Sequence, residues 1–181
     1  MENIQSYENL IVRQKKSKGF TLVEILLYIS IVSIMMGVIS LFMFSILQSQ
    51  AKFKTISEVD QQGIQVAQII SQAIRNSNGI TSPTQGNSGS SLTLESADSA
   101  KNPTVFNSNG TNMQIKEGTS VTTPLTNSKV SVSGLSFSNL SLTDTPGVVK
   151  FQFTITYINL SGRNEYDYSK TFYGSASLRF N

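Results

Sequence analysis

One acidic side chain, Glu24, lies between a basic segment and a long uncharged apolar run. Residues 15–24 read Lys-Lys-Ser-Lys-Gly-Phe-Thr-Leu-Val-Glu, and residues 25–47 then contain no charged side chain. Since about 20 helical residues at ~1.5 Å each cross the hydrocarbon core of a bilayer, this run is long enough to span a membrane. A carboxylate forced to mid-membrane costs on the order of 2.5–3.5 kcal/mol. We therefore expect a partner that compensates the charge of Glu24.

The segment from Gly19 to Glu24 resembles the N-terminal motif of the type IV prepilin and pseudopilin family. It reads Gly-Phe-Thr-Leu-Val-Glu after a short basic leader, and the resemblance covers residues 13–50. The resemblance implies that a prepilin peptidase cuts after Gly19 and methylates the new N-terminal residue, Phe20. It also implies an assembly role for Glu24, whose carboxylate would meet the N-terminal amine of another subunit in a filament.

The physical chemistry of this motif agrees with such a role. Cutting between Gly19 and Phe20 would leave a positive amine at the start of a helix, and Glu24 follows one helical turn later on the same face. A carboxylate is also favoured near a helix N-terminus, where the free N–H groups carry partial positive charge. Glu24 could thus be neutralised by its own amine or by that of a neighbouring copy. The alternative is that Glu24 only marks the membrane interface.

Two other kinds of membrane segment compete with this interpretation. A secretory signal peptide has an apolar core of about 7–15 residues and a small-residue cleavage site, whereas this run is longer and has no such site. An uncleaved single-pass anchor explains the length and the basic flank, but not the order Gly-Phe-Thr-Leu-Val-Glu. Both membrane-anchored interpretations keep the basic residues of the leader in the cytoplasm and predict an extracytoplasmic C-terminal part.

Composition predicts a small exported protein. The chain has 181 residues, no cysteine and no histidine, which leaves room for one modest domain and removes thiol chemistry, disulfides and the commonest general base. The formal charge is +3, of which the leader supplies +2, so the mature side chains are near +1. A strongly basic nucleic-acid footprint is missing, and DNA as a partner has no support in the residues. No cofactor or metal is predicted.

The helix is predicted to continue beyond the membrane segment. Residues 48–78 are polar with an apolar stripe at helical spacing, and Asn78-Gly79 is a stop signal with Gly79 suited to a left-handed C-terminal position. The stripe contains Phe53, Ile56, Val59, Gly63, Val66, Ile70, Ala73 and Ile74. We thus predict a cleaved leader at residues 1–19, a transmembrane and assembly helix at 20–47 and an amphipathic extension at 48–78.

Small residues interrupt the apolar run at spacings of three and four, which allows close approach of transmembrane helices. The alternative is that serine and glycine are simply tolerated in lipid helices. They are Ser30, Ser33, Gly37 and Ser40. Many major pilins carry a helix-breaking proline at the position of Leu41 and a glycine at that of Ser33. This chain has neither, which fits a minor subunit better than a major one.

The C-terminal half predicts an antiparallel β domain. Residues 79–103 form a Gly/Ser-rich loop region with one short strand at 92–95, and residues 104–181 are strand-rich. A hairpin turns at Asn109-Gly110, a change of alternation at Gly134 predicts a β-bulge, and residues 149–157 alternate apolar and polar side chains. Further strands are expected around 166–172 and at Leu178 and Phe180.

These elements predict an α+β fold, in which the second half of the long helix covers the apolar face of an antiparallel sheet. This layout also resembles pilins, and the helix end at residues 69–77 resembles minor pseudopilins of the J/W type. Asp144, Glu165 and Asp167 are interpreted as solvated turn and strand residues. An aromatic cluster of Tyr166, Tyr168, Phe172 and Tyr173 is interpreted as ordinary packing, with an interface as the alternative.

The sequence therefore predicts a structural and interaction protein, not an enzyme: a minor type IV pilin or pseudopilin stored in the bacterial cell membrane. It would be processed by prepilin peptidase and inserted into a type IV pilus or a type II secretion-like pseudopilus. Expected partners are other pilins through the N-terminal helix, an inner-membrane assembly platform and the lipid bilayer. Adhesion, motility, secretion and DNA uptake stay open as uses of the filament. The alternatives are a major pilin and a single-pass anchored β-domain binding module that never assembles.

Overall fold

A computed structural model describes residues 19–179, which fall into two compact units divided between Ser45 and Ile46. The predicted leader therefore lies outside the described residues, apart from Gly19. One α-helix, α1, runs without interruption over Leu22–Arg75. Its start is capped by Thr21, whose Oγ1 accepts a hydrogen bond of 3.2 Å from the backbone N–H of Glu24. Such a cap satisfies one of the free N–H groups of a first helical turn.

The first unit contributes the apolar part of α1. Among the described residues, α1 is long and apolar enough to cross a membrane, and its most apolar 18-residue window has a mean hydropathy of 2.5. Three serines within it, Ser30, Ser33 and Ser40, donate hydrogen bonds of 2.8 Å to backbone carbonyls four residues earlier. These bonds satisfy the hydroxyl donors without a partner helix. The three serines can therefore lie in an apolar environment without an unpaired hydroxyl donor.

The second unit places two antiparallel sheets beside the rest of α1. In chain order its strands are β1 (Ser77–Ser82), β2 (Ser88–Gly89), β3 (Leu92–Ser96), β4 (Thr104–Ser108), β5 (Met113–Glu117), β6 (Thr123–Pro124), β7 (Val130–Asn139), β8 (Val148–Tyr157) and β9 (Ser169–Ser177). The first sheet has the order β1-β3-β4-β5-β6 and the second β2-β7-β8-β9. The predicted α+β architecture is confirmed, with two sheets where the sequence suggested one.

A single apolar core joins α1 to both sheets. From the helix it receives six residues at steps of three and four: Thr55, Val59, Gly63, Val66, Ile70 and Ile74. From β8 it receives Val149, Phe151, Phe153 and Ile155, as the alternation predicted. Phe53 was wrongly assigned to this stripe, since it is 71% exposed. The buried face passes through Thr55, which lies about 200° around the helix from Phe53 at 100° per residue.

The end of α1 differs from the prediction. The helix ends at Arg75 and β1 begins at Ser77, so Asn78 and Gly79 are strand residues and Gly79 has no positive φ. The Ser77 hydroxyl donates a hydrogen bond of 2.5 Å to the carbonyl of Ala73. The Ser77 side chain thus satisfies a free carbonyl at the helix end. The prediction had instead placed a left-handed glycine there, Gly79, to end the helix.

The region predicted as a loop, residues 79–103, contains more strand than expected. β1 and β2 lie partly or wholly within it beside the expected β3, because Gly- and Ser-rich segments pair through their backbones. Gly79, for example, is opposite Glu95. The hairpin between β4 and β5 and the bulge in β7 are confirmed. Gly110 and Gly134 have φ values of 89° and 60°, and the β7–β8 register shifts between Ser133 and Ser136.

The last predicted strands are corrected in two places. β9 begins at Ser169, and Tyr166 lies in a 3₁₀ turn spanning Asn164–Tyr166. Leu178 follows β9 and is buried, with its N–H donating a hydrogen bond of 2.8 Å to the Gly147 carbonyl. Phe180 lies outside the described residues.

Candidate processing and assembly site

The predicted cleavage position lies ahead of the helix and is accessible. Gly19 and Phe20 are both exposed, and α1 begins two residues after Phe20. A Cβ atom built on Gly19 would meet no atom of the described residues within 4 Å. The protein's own fold therefore leaves space for a side chain at position 19. A requirement for glycine there would come from an enzyme that closes around this bond.

The helix start holds Glu24 in a defined place. The backbone N–H of Glu24 is bound to Thr21 Oγ1, and the N–H of Ile25 donates to the Thr21 carbonyl at 3.2 Å. Glu24 is thus the third residue of α1, and its carboxylate lies in the turn where the helix macrodipole favours negative charge. The spacing Thr-x-x-Glu is that of a capping box. This local signal for the helix start was present in the sequence but was missed.

Tyr28 joins Glu24 to Phe20. Its hydroxyl donates a hydrogen bond of 3.1 Å to Glu24 Oε1, and its ring packs edge-to-face on the Phe20 ring with centroids 6.3 Å apart. Because Phe20 precedes the first helical turn, this aromatic contact, and not helical periodicity, keeps it on the side of Glu24. Sequence reasoning missed Tyr28, although a position four residues after Glu24 is on the same helix face.

The arrangement leaves one carboxylate oxygen available. Within residues 19–179, Glu24 Oε2 has no hydrogen-bond or ion-pair partner. An ammonium group from another chain could approach it while Tyr28 still binds Oε1. Such an ion pair would strengthen where water is scarce, because Coulomb attraction scales inversely with the local dielectric constant. The three predicted site residues, Gly19, Phe20 and Glu24, thus lie together in the first turns of the described chain.

The other acids considered from sequence take part in local contacts. Asp167 Oδ1 accepts a hydrogen bond of 2.6 Å from Asn159, and Glu165 is paired with Arg163. Asp144 occupies a turn with a φ of 61°. Among the residues that the structure describes, no group of three or more Asp, Glu, His or Cys side chains could hold a metal ion.

The predicted aromatic cluster does not form as one group. The Phe172 ring stacks on Phe153 at 5.5 Å and Tyr166 stacks on Tyr157 at 6.1 Å, whereas Tyr173 is exposed. Neighbouring residues on a strand point to opposite faces, so Phe172 and Tyr173 cannot share one cluster.

The N-terminal part of the chain matches a known protein family. Residues 14–47 match the family model described as the prokaryotic N-terminal methylation motif. The match covers the end of the basic leader, the site around Glu24 and the apolar run, and it confirms the resemblance to type IV prepilins and pseudopilins there. Comparison with curated proteins and with solved structures gave no match. The likeness to the J/W type therefore stays a prediction.

Proposed function

We propose that this type IV pilin-like, prepilin-processed chain is a minor pilin or pseudopilin without catalytic activity of its own. It would be stored in the membrane through the apolar part of α1, cleaved after Gly19, and inserted into a pilus or pseudopilus. The observation that carries this proposal is the site itself: a prepilin motif in which Glu24 is held in the first helical turn, with one oxygen that has no partner among residues 19–179.

Each part of the site has a place in this sequence of events. Prepilin peptidase would cut between Gly19 and Phe20, which are exposed, and methylate the amine of Phe20. The basic leader would stay cytoplasmic and the β-sheet unit would lie outside, as the distribution of Lys and Arg favours. The amine of one subunit would then dock on Glu24 Oε2 of another as the assembly platform moves subunits out of the membrane.

The continuity of α1 supports a minor subunit over a major one. The helix passes through Leu41 without a break, at the position where many major pilins have a helix-breaking proline. A helix without that proline keeps its backbone hydrogen bonds in this turn. Local melting there is therefore not part of the mechanism proposed for this chain.

The decisive experiment removes the charge of Glu24 and keeps its shape. We expect Glu24→Gln to be synthesised, inserted and cleaved normally, because the change makes the membrane segment less polar. Its recovery from sheared filaments, or from complexes with companion pilins, should fall severalfold. Glu95→Gln is the matched control, since it removes an equal charge from an exposed position on β3 and should leave recovery unchanged.

Three results would contradict the proposal at different points. Mass spectrometry of the wild-type protein from cells containing the peptidase should show a mature chain beginning at Phe20, and an intact leader would refute processing. Normal incorporation of Glu24→Gln would reduce the glutamate to a boundary marker. A cleaved protein that never joins a filament would instead favour the anchored binding module.

A further inference from the structure

The connection between β8 and β9, residues 158–168, lies beside Lys52, in the part of α1 that belongs to the second unit. β8 runs back along α1: Phe151 lines the same surface groove as Ala67, whereas Tyr157, six residues later, lies beside Lys54. The chain beyond Tyr157 therefore continues toward lower residue numbers of the helix. Residues 158–168 are called the β8–β9 loop below.

Lys52 ties this loop to the helix. Its Nζ donates hydrogen bonds of 2.6 Å to the Asp167 carbonyl and 3.4 Å to the Asn164 carbonyl, and it lies 5.9 Å from the centre of the Tyr168 ring. The apolar run ends at Leu47, five residues before Lys52. At ~1.5 Å rise per residue, the loop is attached only about 7.5 Å along the helix from that end.

The exposed surface here has the composition of a membrane interface. Leu160 is 94% exposed at the tip of the loop, and Phe53, the residue after Lys52, is also exposed. Two half-buried tyrosines of the same region, Tyr166 in the loop and Tyr157 at the end of β8, stack on each other. Aromatic rings favour the headgroup level of a bilayer, and leucine and phenylalanine insert at the boundary with the acyl chains.

The charges at this end are nearly balanced. Lys52, Lys54 and Arg163 are opposed by Glu165 and Asp167, for a local charge of +1, and Arg163 is already paired with Glu165. Electrostatic attraction to anionic lipid is worth about 1 kcal/mol per basic residue near the surface. With a net charge of +1, this attraction is smaller than the ~1.5–3 kcal/mol of burying one leucine side chain.

We propose that the β8–β9 loop is a lipid contact of the stored subunit, with Leu160 inserted into the leaflet on the side of the β-sheet unit. The proposal rests on the membrane storage contained in the proposed function, and not on filament assembly. The contact orders the sheet unit against the bilayer before assembly and must break when the subunit leaves the membrane. Its occupant is a lipid surface because the loop exposes Leu160 and is tied to α1 only five residues after the apolar run ends at Leu47.

The chain offers a matched control for this contact. Leu142 is an exposed leucine (71%) in the connection between β7 and β8, at the opposite end of β8. β8 has ten residues, so at ~3.3 Å per residue the two loops are about 30 Å apart along the strand. A lipid contact at Leu160 therefore predicts an aqueous environment for Leu142.

The test uses the full chain, which has no cysteine, in vesicles of phosphatidylcholine and phosphatidylglycerol at low protein density. Leu160→Cys, Leu142→Cys and Phe42→Cys are made separately and given a nitroxide label. We expect the label at position 160 to collide more with dissolved oxygen than with a water-soluble nickel complex, as at position 42 in the apolar run. The order should be reversed at position 142. Vesicles of phosphatidylcholine alone should give the same result.

Three outcomes would overturn the proposal. Equal water exposure at positions 160 and 142, with position 42 in lipid, refutes the loop contact and leaves membrane storage intact. An aqueous signal at position 42 refutes storage itself. Shielding at position 160 that disappears as protein is diluted into more lipid shows a contact between subunits instead of a lipid contact.

Discussion

Replacing Ile70 by alanine tests whether α1 forms one wall of the core. Ile70 is fully buried, whereas Ile64, on the same helix, is 53% exposed. The change removes three buried carbons, each worth about 0.8 kcal/mol in transfer free energy, or ~2.4 kcal/mol together. The residual cavity raises the cost to about 3–4 kcal/mol, within the range of ~2–5 kcal/mol for such substitutions. Ile64→Ala should stay within about 0.5 kcal/mol.

The assay is thermal and urea unfolding of residues 48–181. This fragment should fold without the membrane segment, because the buried residues of α1 begin at Thr55. At roughly 3–5 °C per kcal/mol for a domain of this size, Ile70→Ala should lower the Tm by about 10–15 °C and leave the Tm of the Ile64→Ala control nearly unchanged. Ile70→Asp should unfold the fragment, since it buries an unpaired charge. Equal shifts for the two alanine variants would refute this packing of α1.

Three further predictions concern close contacts. A methyl group at Gly63 would meet the ring of Phe172. Gly63→Ala should therefore lower the unfolding free energy by about 1–3 kcal/mol and become neutral or stabilising with Phe172→Ala, while a loss unchanged by the second substitution would contradict the contact. The hydrogen bond to Asp60, 2.9 Å long, raises the pKa of Lys170 above 10.5. Lys170→Gln should lower the unfolding free energy only slightly. In urea unfolding, this loss should be fully present below pH 10.5 and should disappear as the pH rises above it. A loss that grows with rising pH would contradict this prediction. Tyr28→Phe should lower filament recovery because Glu24 loses its hydrogen-bond donor. If the losses from Tyr28→Phe and Glu24→Gln add fully in the double variant, Tyr28 does not act through Glu24.

Local signals in the chain were sufficient for several elements. The order of Gly19, Phe20 and Glu24 before an uncharged run predicted the motif that the family model matches. Alternation in β8, glycine at the Gly134 bulge and the hairpin at Gly110 were read correctly because each depends on neighbours within a few residues. The buried stripe of α1 was correct from Val59 onward for the same reason.

Contacts between distant residues decided the rest. β1 and β2 were assigned to a loop because glycine and serine have weak strand preference, yet backbone pairing with β3 and β7 makes them strands. Phe53 follows the helical period but faces away from the core, since the position of the sheets selects which face of α1 is buried.

The sequence by itself determined the processing motif, the apolar segment and the α+β class, because these follow from composition, spacing and period along the chain. Only the tertiary structure decided that there are two sheets, and that Lys52 holds the β8–β9 loop beside the end of the apolar run. Lys52 and Asp167 are 115 residues apart. No local pattern encodes such a pairing, because it forms only when the strands between them have folded back along the helix.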